Sequence, residues 1–218
     1  MIKESLALYN RQLMKILMLS VILVIPLTLL CYFATFYFYQ QLTNQQYPNL
    51  YALFLIIVNF TLIIPVFNRL AISDIEDEED LSVWKLCYEF IRHFGIILFL
   101  TIPLYILGVL GSFLLYIPTI LCFSLILLIP FYVSCSKVND MVRRAGRTMR
   151  DEHFLLLMDW LVILSVQVLA WGLIMLPFEN FENNVYVYGI ARAIINSFVF
   201  PLLIFYLTFR YTHAEERL

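Results

Sequence analysis

Charge is what this sequence has least of. Only 14% of its 218 residues are Asp, Glu, Lys or Arg, against 62% hydrophobic and 17% aromatic. A water-soluble domain is about a quarter charged and about half apolar, so most of this chain is expected in lipid. The formal net charge of -2 is close to neutral, which argues against nucleic acid as a partner.

Cysteine is also scarce. The four, Cys31, Cys87, Cys122 and Cys135, include no C-x-x-C pair and have no histidine near enough in sequence for a zinc pattern. They read as small buried hydrophobes rather than as a disulfide or metal set. The zinc-protease H-E-x-x-H, the G-x-S-x-G elbow and the phosphate loop G-x-x-x-x-G-K-[ST] are all missing. Ser112 follows Gly111 but has no intramembrane histidine to activate it. No carboxylate pair stands out for acid–base work. No catalytic residue, metal or cofactor is therefore expected, and the chain does not read as an enzyme. Nor is a cleavable signal expected, because the first apolar block is about twice the length of a signal core and lacks a small-x-small site.

What remains is a series of apolar blocks separated by short charged stretches. Residues 16–39 and 50–67 are each long enough to be read as a span of about 30 Å of hydrocarbon. Phe94 to Ser134 carries no charge at all, which at about 1.5 Å per residue is just two spans joined by a tight turn near Gly108–Gly111 or Pro118. Residues 154–177 and 185–209 complete a reading of six transmembrane helices.

Three amphipathic stretches lead into these blocks. Over 2–15, Ile2, Leu6, Tyr9 and Leu13 recur at helical spacing, with Lys3, Glu4, Asn10, Arg11 and Lys15 opposite. Over 82–93, Val83, Leu86, Cys87, Phe90, Ile91 and Phe94 form one expected face, with Ser82 as N-cap. Over 137–153, Val138, Met141, Val142, Ala145 and Met149 face one way and Arg143, Arg144, Arg147 and Arg150 the other. The pattern is threefold: an interfacial helix, then a hairpin of two spans, with units at about 1–70, 80–135 and 137–210. Similar apolar-Pro phrases recur around Pro65, Pro130 and Pro201. The fold class expected is thus all-α, a single integral membrane domain of three such units over 1–218.

Thirteen of the fourteen Lys and Arg residues fall on one side of the six-span arrangement; the exception is Arg192, just inside the last span. The positive-inside rule then places both termini in the cytoplasm, and the membrane expected is the cell's inner, cytoplasmic one.

Four phrases carry a family resemblance: LYNRQLMKILMLSVILVIPL near the start, LYIPTILCFSLILLIPFYVS in the middle, VNDMVRRAGRTMRDEHF after it, and FPLLIFYLTFRYTHAEER at the end. Together they resemble the bacterial membrane-domain superfamily that includes the glycerophosphodiester phosphodiesterase membrane domain. Thr119 stands where that family prefers glycine, and Tyr211-Thr212-His213 where an acid often follows the tyrosine. The resemblance implies a six-helix integral membrane protein that accompanies partners, and implies little about activity.

Several residues are candidates for function. Arg143, Arg144, Arg147 and Arg150 form a surface for anionic lipid or a protein partner, worth about 1 kcal/mol per basic residue beside a charged leaflet; topological anchoring is their simpler role, and Asp140 is placed to pair with Arg144. The acidic run 74–80 lacks calcium-loop spacing and reads as a solvated connector. Asp159 and Arg192 are ionisable groups inside spans and so candidates by default. Asp159 is expected to meet Arg150 or Lys15, and Arg192 to reach Glu179 or Glu182. Asn59, Gln167 and Asn196 are expected to hydrogen-bond between helices. His93, His153 and His213 lie at inner membrane boundaries, where a metal site is the remote alternative to a structural role. The expected function is that of a non-enzymatic membrane component working with membrane lipids and protein partners, in envelope lipid handling or transport. The alternatives are a permease subunit of an ABC-type exporter and an enzyme acting on phospholipid head groups.

Overall fold

The computed structural model describes residues 2–41, 48–76, 81–113, 116–133, 138–152, 154–178 and 184–215, and within them every regular element is helical. The order is α1 (Ile2–Arg11), α2 (Leu13–Leu19), a π turn (Ser20–Val24), α3 (Ile25–Gln41), α4 (Pro48–Ile75), α5 (Val83–Gly111), α6 (Ile117–Leu128), a 3-10 turn (Ile129–Tyr132), α7 (Val138–Glu152), α8 (Phe154–Phe178) and α9 (Val185–Glu215). Among the described residues four helices are long and apolar enough to cross a membrane: Leu13–Gln40, Asn49–Ile75, Val83–Gly111 and Val185–Thr212. Two further apolar helices, Ile117–Tyr132 and Met158–Ala170, are shorter.

The core is built on α4 and α9. Along α4 every residue from Ile57 to Asn68 is buried, and the helix packs on α3, α5 and α9. Aromatic rings lock the pair, with Phe60 edge-on to Phe200 at 5.2 Å between ring centres. Phe67 and Tyr9 both meet Phe205, which fastens α1 onto the far end of α9. In lipid there is no hydrophobic drive between spans, so such packing and buried hydrogen bonds must hold the helices together.

Prolines explain the irregular turns. Pro26 cannot bond the carbonyl of Ile22, and the chain takes up a π turn over Ser20–Val24 just ahead of it. Pro201 likewise frees the carbonyl of Ser197, and the Ser20 hydroxyl donates to that oxygen at 3.1 Å. A carbonyl freed inside the bilayer is thus satisfied by a neighbouring helix. Pro130 coincides with the 3-10 turn, where the Asn68 amide donates to the Phe131 carbonyl at 3.1 Å and Thr208 donates to the Asn68 oxygen at 3.0 Å.

The uncharged stretch after Phe94 does turn where expected. α5 ends at Gly111 and α6 starts at Ile117, after Tyr116 in the left-handed region at φ 60°. The Thr119 hydroxyl donates to the Gly108 carbonyl at 2.7 Å, satisfying one of the free ends of α5.

Three local expectations are corrected. The stretch 82–93 is not a separate interfacial helix: Ser82 does cap it, its hydroxyl accepting from the Lys85 N–H at 3.4 Å, but the helix runs unbroken to Gly111. Its packed face is also rotated. Leu86, Cys87, His93, Ile97, Thr101 and Tyr105 are buried, while Ile91 is 71% and Phe94 38% exposed. One continuous rod presents one face, and the long apolar part sets it. Second, α4 does not leave the bundle at Asn68 but continues to Ile75, with Leu70, Ala71 and Ser73 buried. Asp74 then pairs with Arg11 and accepts from Gln12 at 3.3 Å, tying α4 to the start of the chain. Third, α9 does not stop at Phe209. It continues to Glu215 and brings Arg210 and Tyr211 onto the helix.

Candidate functional site

A polar stripe on α3 sets the site. Thr28, Cys31, Tyr32, Thr35 and Tyr39 recur at i, i+3, i+4, i+7 and i+11, one helical face. That face looks into a cavity of about 320 Å³ bounded by α4, α8 and α9. Asn59 of α4, Gln167 of α8, and Arg192 and Asn196 of α9 contribute the other polar groups. All four were singled out by sequence as separate intramembrane polar residues; the fold brings them to one place.

Thr28 is the node. Its hydroxyl donates to the Asn59 oxygen at 3.4 Å, and accepts from the Asn59 amide at 3.2 Å and from the Asn196 amide at 3.4 Å. Thr28, Asn59 and Asn196 are all buried. Replacing Thr28 by Val keeps the shape and removes every one of these contacts. With interhelical hydrogen bonds worth about 0.6 kcal/mol each on average, Thr28→Val is expected to lower stability by about 1 kcal/mol in detergent-based unfolding, and Thr28→Ser to stay near wild type.

Arg192 lies on the cavity wall between Asn196 and the open end of α9, half-buried. At about 1.5 Å per residue it stands about 10 Å inside the start of α9. Glu179 and Glu182, its expected partners, lie outside the described residues. A guanidinium offers five N–H donors in a fixed fork, enough to hold a neighbour and still contact an anion in the cavity. Close approach of α9 to α3 is permitted by Gly189, whose added Cβ would stand 2.9 Å from the Tyr32 ring.

Next to this cavity is an apolar one of about 270 Å³, lined by Ile57, Phe60, Phe123, Trp160, Ile163 and neighbours. Ile56 and Gln167 line both. The Trp160 indole N–H donates to the Phe123 carbonyl at 3.3 Å, so its polar edge is satisfied and its ring faces apolar space.

Asp159 belongs to a different cluster. It is 1% exposed and paired with Arg210, not with Arg150 or Lys15. The Tyr211 hydroxyl donates to its second oxygen at 3.2 Å, and Arg210 also donates to Glu152 at 3.1 Å. The correction follows from α9 running past Phe209: Arg210, one residue beyond the expected end of the span, is carried against α8. One guanidinium thus bridges carboxylates on α7 and α8, a geometry that stabilises helix positions.

The four arginines of α7 are all exposed, opposite buried Met141 and Ala145. Among the described residues none of them is ion-paired, so Asp140 is not bonded to Arg144. The Thr148 hydroxyl bonds that of Tyr132 at 2.7 Å, which fixes the helix on the 3-10 turn with its basic face outward. His93 is buried, its Nε2 2.7 Å from Glu89. His153 and the side chain of His213 lie outside the described residues, and so does Cys135. Cys31, Cys87 and Cys122 are free thiols. Among the described residues no three His, Cys, Asp or Glu side chains gather to hold a metal.

Sequence reasoning missed Thr28, Tyr32 and Arg210. The i, i+3, i+4, i+7 spacing of hydroxyl and thiol groups on α3 was the available signal for the first two. Comparison of the chain with family models, with curated proteins and with solved structures finds no match in any of the three.

Proposed function

We propose that the protein is a six-span component of the cytoplasmic membrane, with both termini in the cytoplasm, that handles lipid or assists transport without itself catalysing a reaction. Its working part is the polar cavity around Arg192. The observation that carries this reading is the convergence of Arg192, Asn59, Asn196, Gln167 and Thr28 on one cavity among otherwise apolar helices. Polar and charged groups at membrane depth are costly and mark ligand paths more often than surface groups do. A volume of about 320 Å³ lies at the lower end of the roughly 300–1,000 Å³ of small-ligand sites.

The six-span count adds α6 with its 3-10 turn, and α8, to the four long helices. α8 has 25 residues, long enough at about 1.5 Å each to cross about 30 Å. The basic face of α7 then lies on the cytoplasmic leaflet with Arg143, Arg144, Arg147 and Arg150 toward lipid head groups or a protein partner. The Arg192 cavity opens toward the opposite leaflet.

The test is purification in mild detergent followed by extraction and quantification of bound lipid, for wild type and Arg192→Gln. Wild type is expected to retain anionic phospholipid. The variant is expected to retain it about 30-fold less tightly, the loss of about 2 kcal/mol that follows from removing one partner of a buried charge contact. Equal retention by the two proteins overturns the reading. An ATPase that co-purifies would favour an exporter permease, and turnover of a phospholipid by the pure protein would favour a head-group enzyme.

A further inference from the structure

The two cavities share a wall, and their chemistry differs sharply across it. On one side are Arg192, Asn59, Asn196 and Thr28; on the other are Phe60, Phe123, Trp160 and Ile163. Ile56 and Gln167 belong to both, and Phe60 of the apolar side touches Phe200 of the polar side. A ligand reaching from one to the other must be polar and negatively charged at one end and hydrocarbon at the other. A small polar anion fills only the first cavity and gains nothing from the second.

We infer that the ligand of the Arg192 cavity is an acyl-chain amphiphile with an anionic phosphate-type head, held with its head at Arg192 and Asn196 and its chain in the Trp160 cavity. This rests on the reading of the Arg192 cavity as a binding site and adds the class of ligand. Charge complementarity selects the head. The apolar cavity selects the tail: apart from Gln167 on the shared wall its lining is hydrocarbon and aromatic, and the Trp160 indole N–H is already bonded to the Phe123 carbonyl. Along α4 the polar cavity takes Ala52 to Asn59 and the apolar one Leu53 to Phe60, so the two lie side by side at one depth and a ligand reaches from one to the other past Ile56 and Gln167.

Trp160 provides the readout. In a Trp84→Phe, Trp171→Phe protein in dodecyl maltoside, Trp160 is the one remaining tryptophan. Phosphatidylglycerol with brominated chains is expected to quench it saturably, and glycerol 1-phosphate to relieve that quenching only at far higher concentration. Arg192→Gln should weaken the lipid about 30-fold. Leu164→Phe, at the edge of the apolar cavity, should weaken the lipid at least about tenfold and leave competition by glycerol 1-phosphate unchanged. If Arg192→Gln loses the phosphatidylglycerol counted by extraction but brominated lipid never quenches Trp160 in the wild type, the chain lies elsewhere and the inference falls while the anion site stands. If glycerol 1-phosphate binds as tightly as the lipid, the site takes a free phosphate ester and the inference falls as well. If brominated diacylglycerol quenches as well as the phospholipid and Arg192→Gln changes nothing, the anion site itself is wrong.

Discussion

Replacing Arg210 by Met is expected to destabilise the protein by about 3–5 kcal/mol, the cost of stripping the partner from a buried ion pair. Asp159 is 1% exposed and Arg210 is its cation; Glu152 uses the same guanidinium. Without it, two carboxylates are left together at the edge of the membrane with only the Tyr211 hydroxyl donating to one of them. Removing the stranded buried charge along with its cation avoids that cost, so the double variant Asp159→Asn, Arg210→Met should recover much of the loss. Arg210→Lys keeps the charge but not the fork that reaches both acids, and should fall between the two. Unfolding in mixed micelles of increasing SDS fraction reads the series. A loss under about 0.5 kcal/mol for Arg210→Met would mean that the pair is not holding α8 to α9.

The second large effect is expected at Gly111. A Cβ placed there would stand 2.7 Å from the Pro118 Cβ and 3.0 Å from the Thr119 nitrogen. Both belong to the start of α6, where Pro118 is rigid and the backbone cannot rotate out of the way. Gly111→Ala must therefore push the α5–α6 turn apart, at a cost of about 1–3 kcal/mol as in an overpacked core. Gly146 is the control of opposite sign. Its Cβ position is open to 4 Å and it lies inside α7, so Gly146→Ala should stabilise by about 0.5–1 kcal/mol through helix propensity alone. Thermal unfolding followed by helical circular dichroism compares the two, and equal, small shifts would contradict the close α5–α6 contact.

Much of the fold could be read from local pattern. The long uncharged runs gave the apolar helices, Ser82 gave a helix start, and the two-faced composition of 137–153 gave α7 with its arginines outward. Charge was misleading as a boundary marker. Asn68 and Arg210 look like places where a span must end, yet α4 and α9 continue through them because each finds a partner on another helix. The amphipathic stretch at 82–93 misled for the opposite reason: its own periodicity was plausible, but a face shared over 29 residues of α5 outweighed it.

The candidate site was legible only in pieces. Arg192, Asn59, Gln167 and Asn196 stood out individually because polar groups in apolar runs are rare. Their convergence depends on the packing of α3, α4, α8 and α9, which no local spacing encodes. Thr28 was passed over because a threonine in a span ordinarily bonds its own helix, as Thr35 does to the Cys31 carbonyl at 2.8 Å. Thr28 instead reaches across to two other helices. Asp159 was recognised as unusual, but its partner lies 51 residues away, beyond any helical repeat.

The proposed site places an anionic head group beside Arg192. The most direct measurement is a high-resolution map of the protein in nanodiscs containing phosphatidylglycerol. Density is expected in the cavity, with a phosphate within hydrogen-bond distance of the Arg192 guanidinium and a chain running past Gln167 to Trp160. A cavity holding only water, with ordered phosphate confined to the arginines of α7, would contradict it.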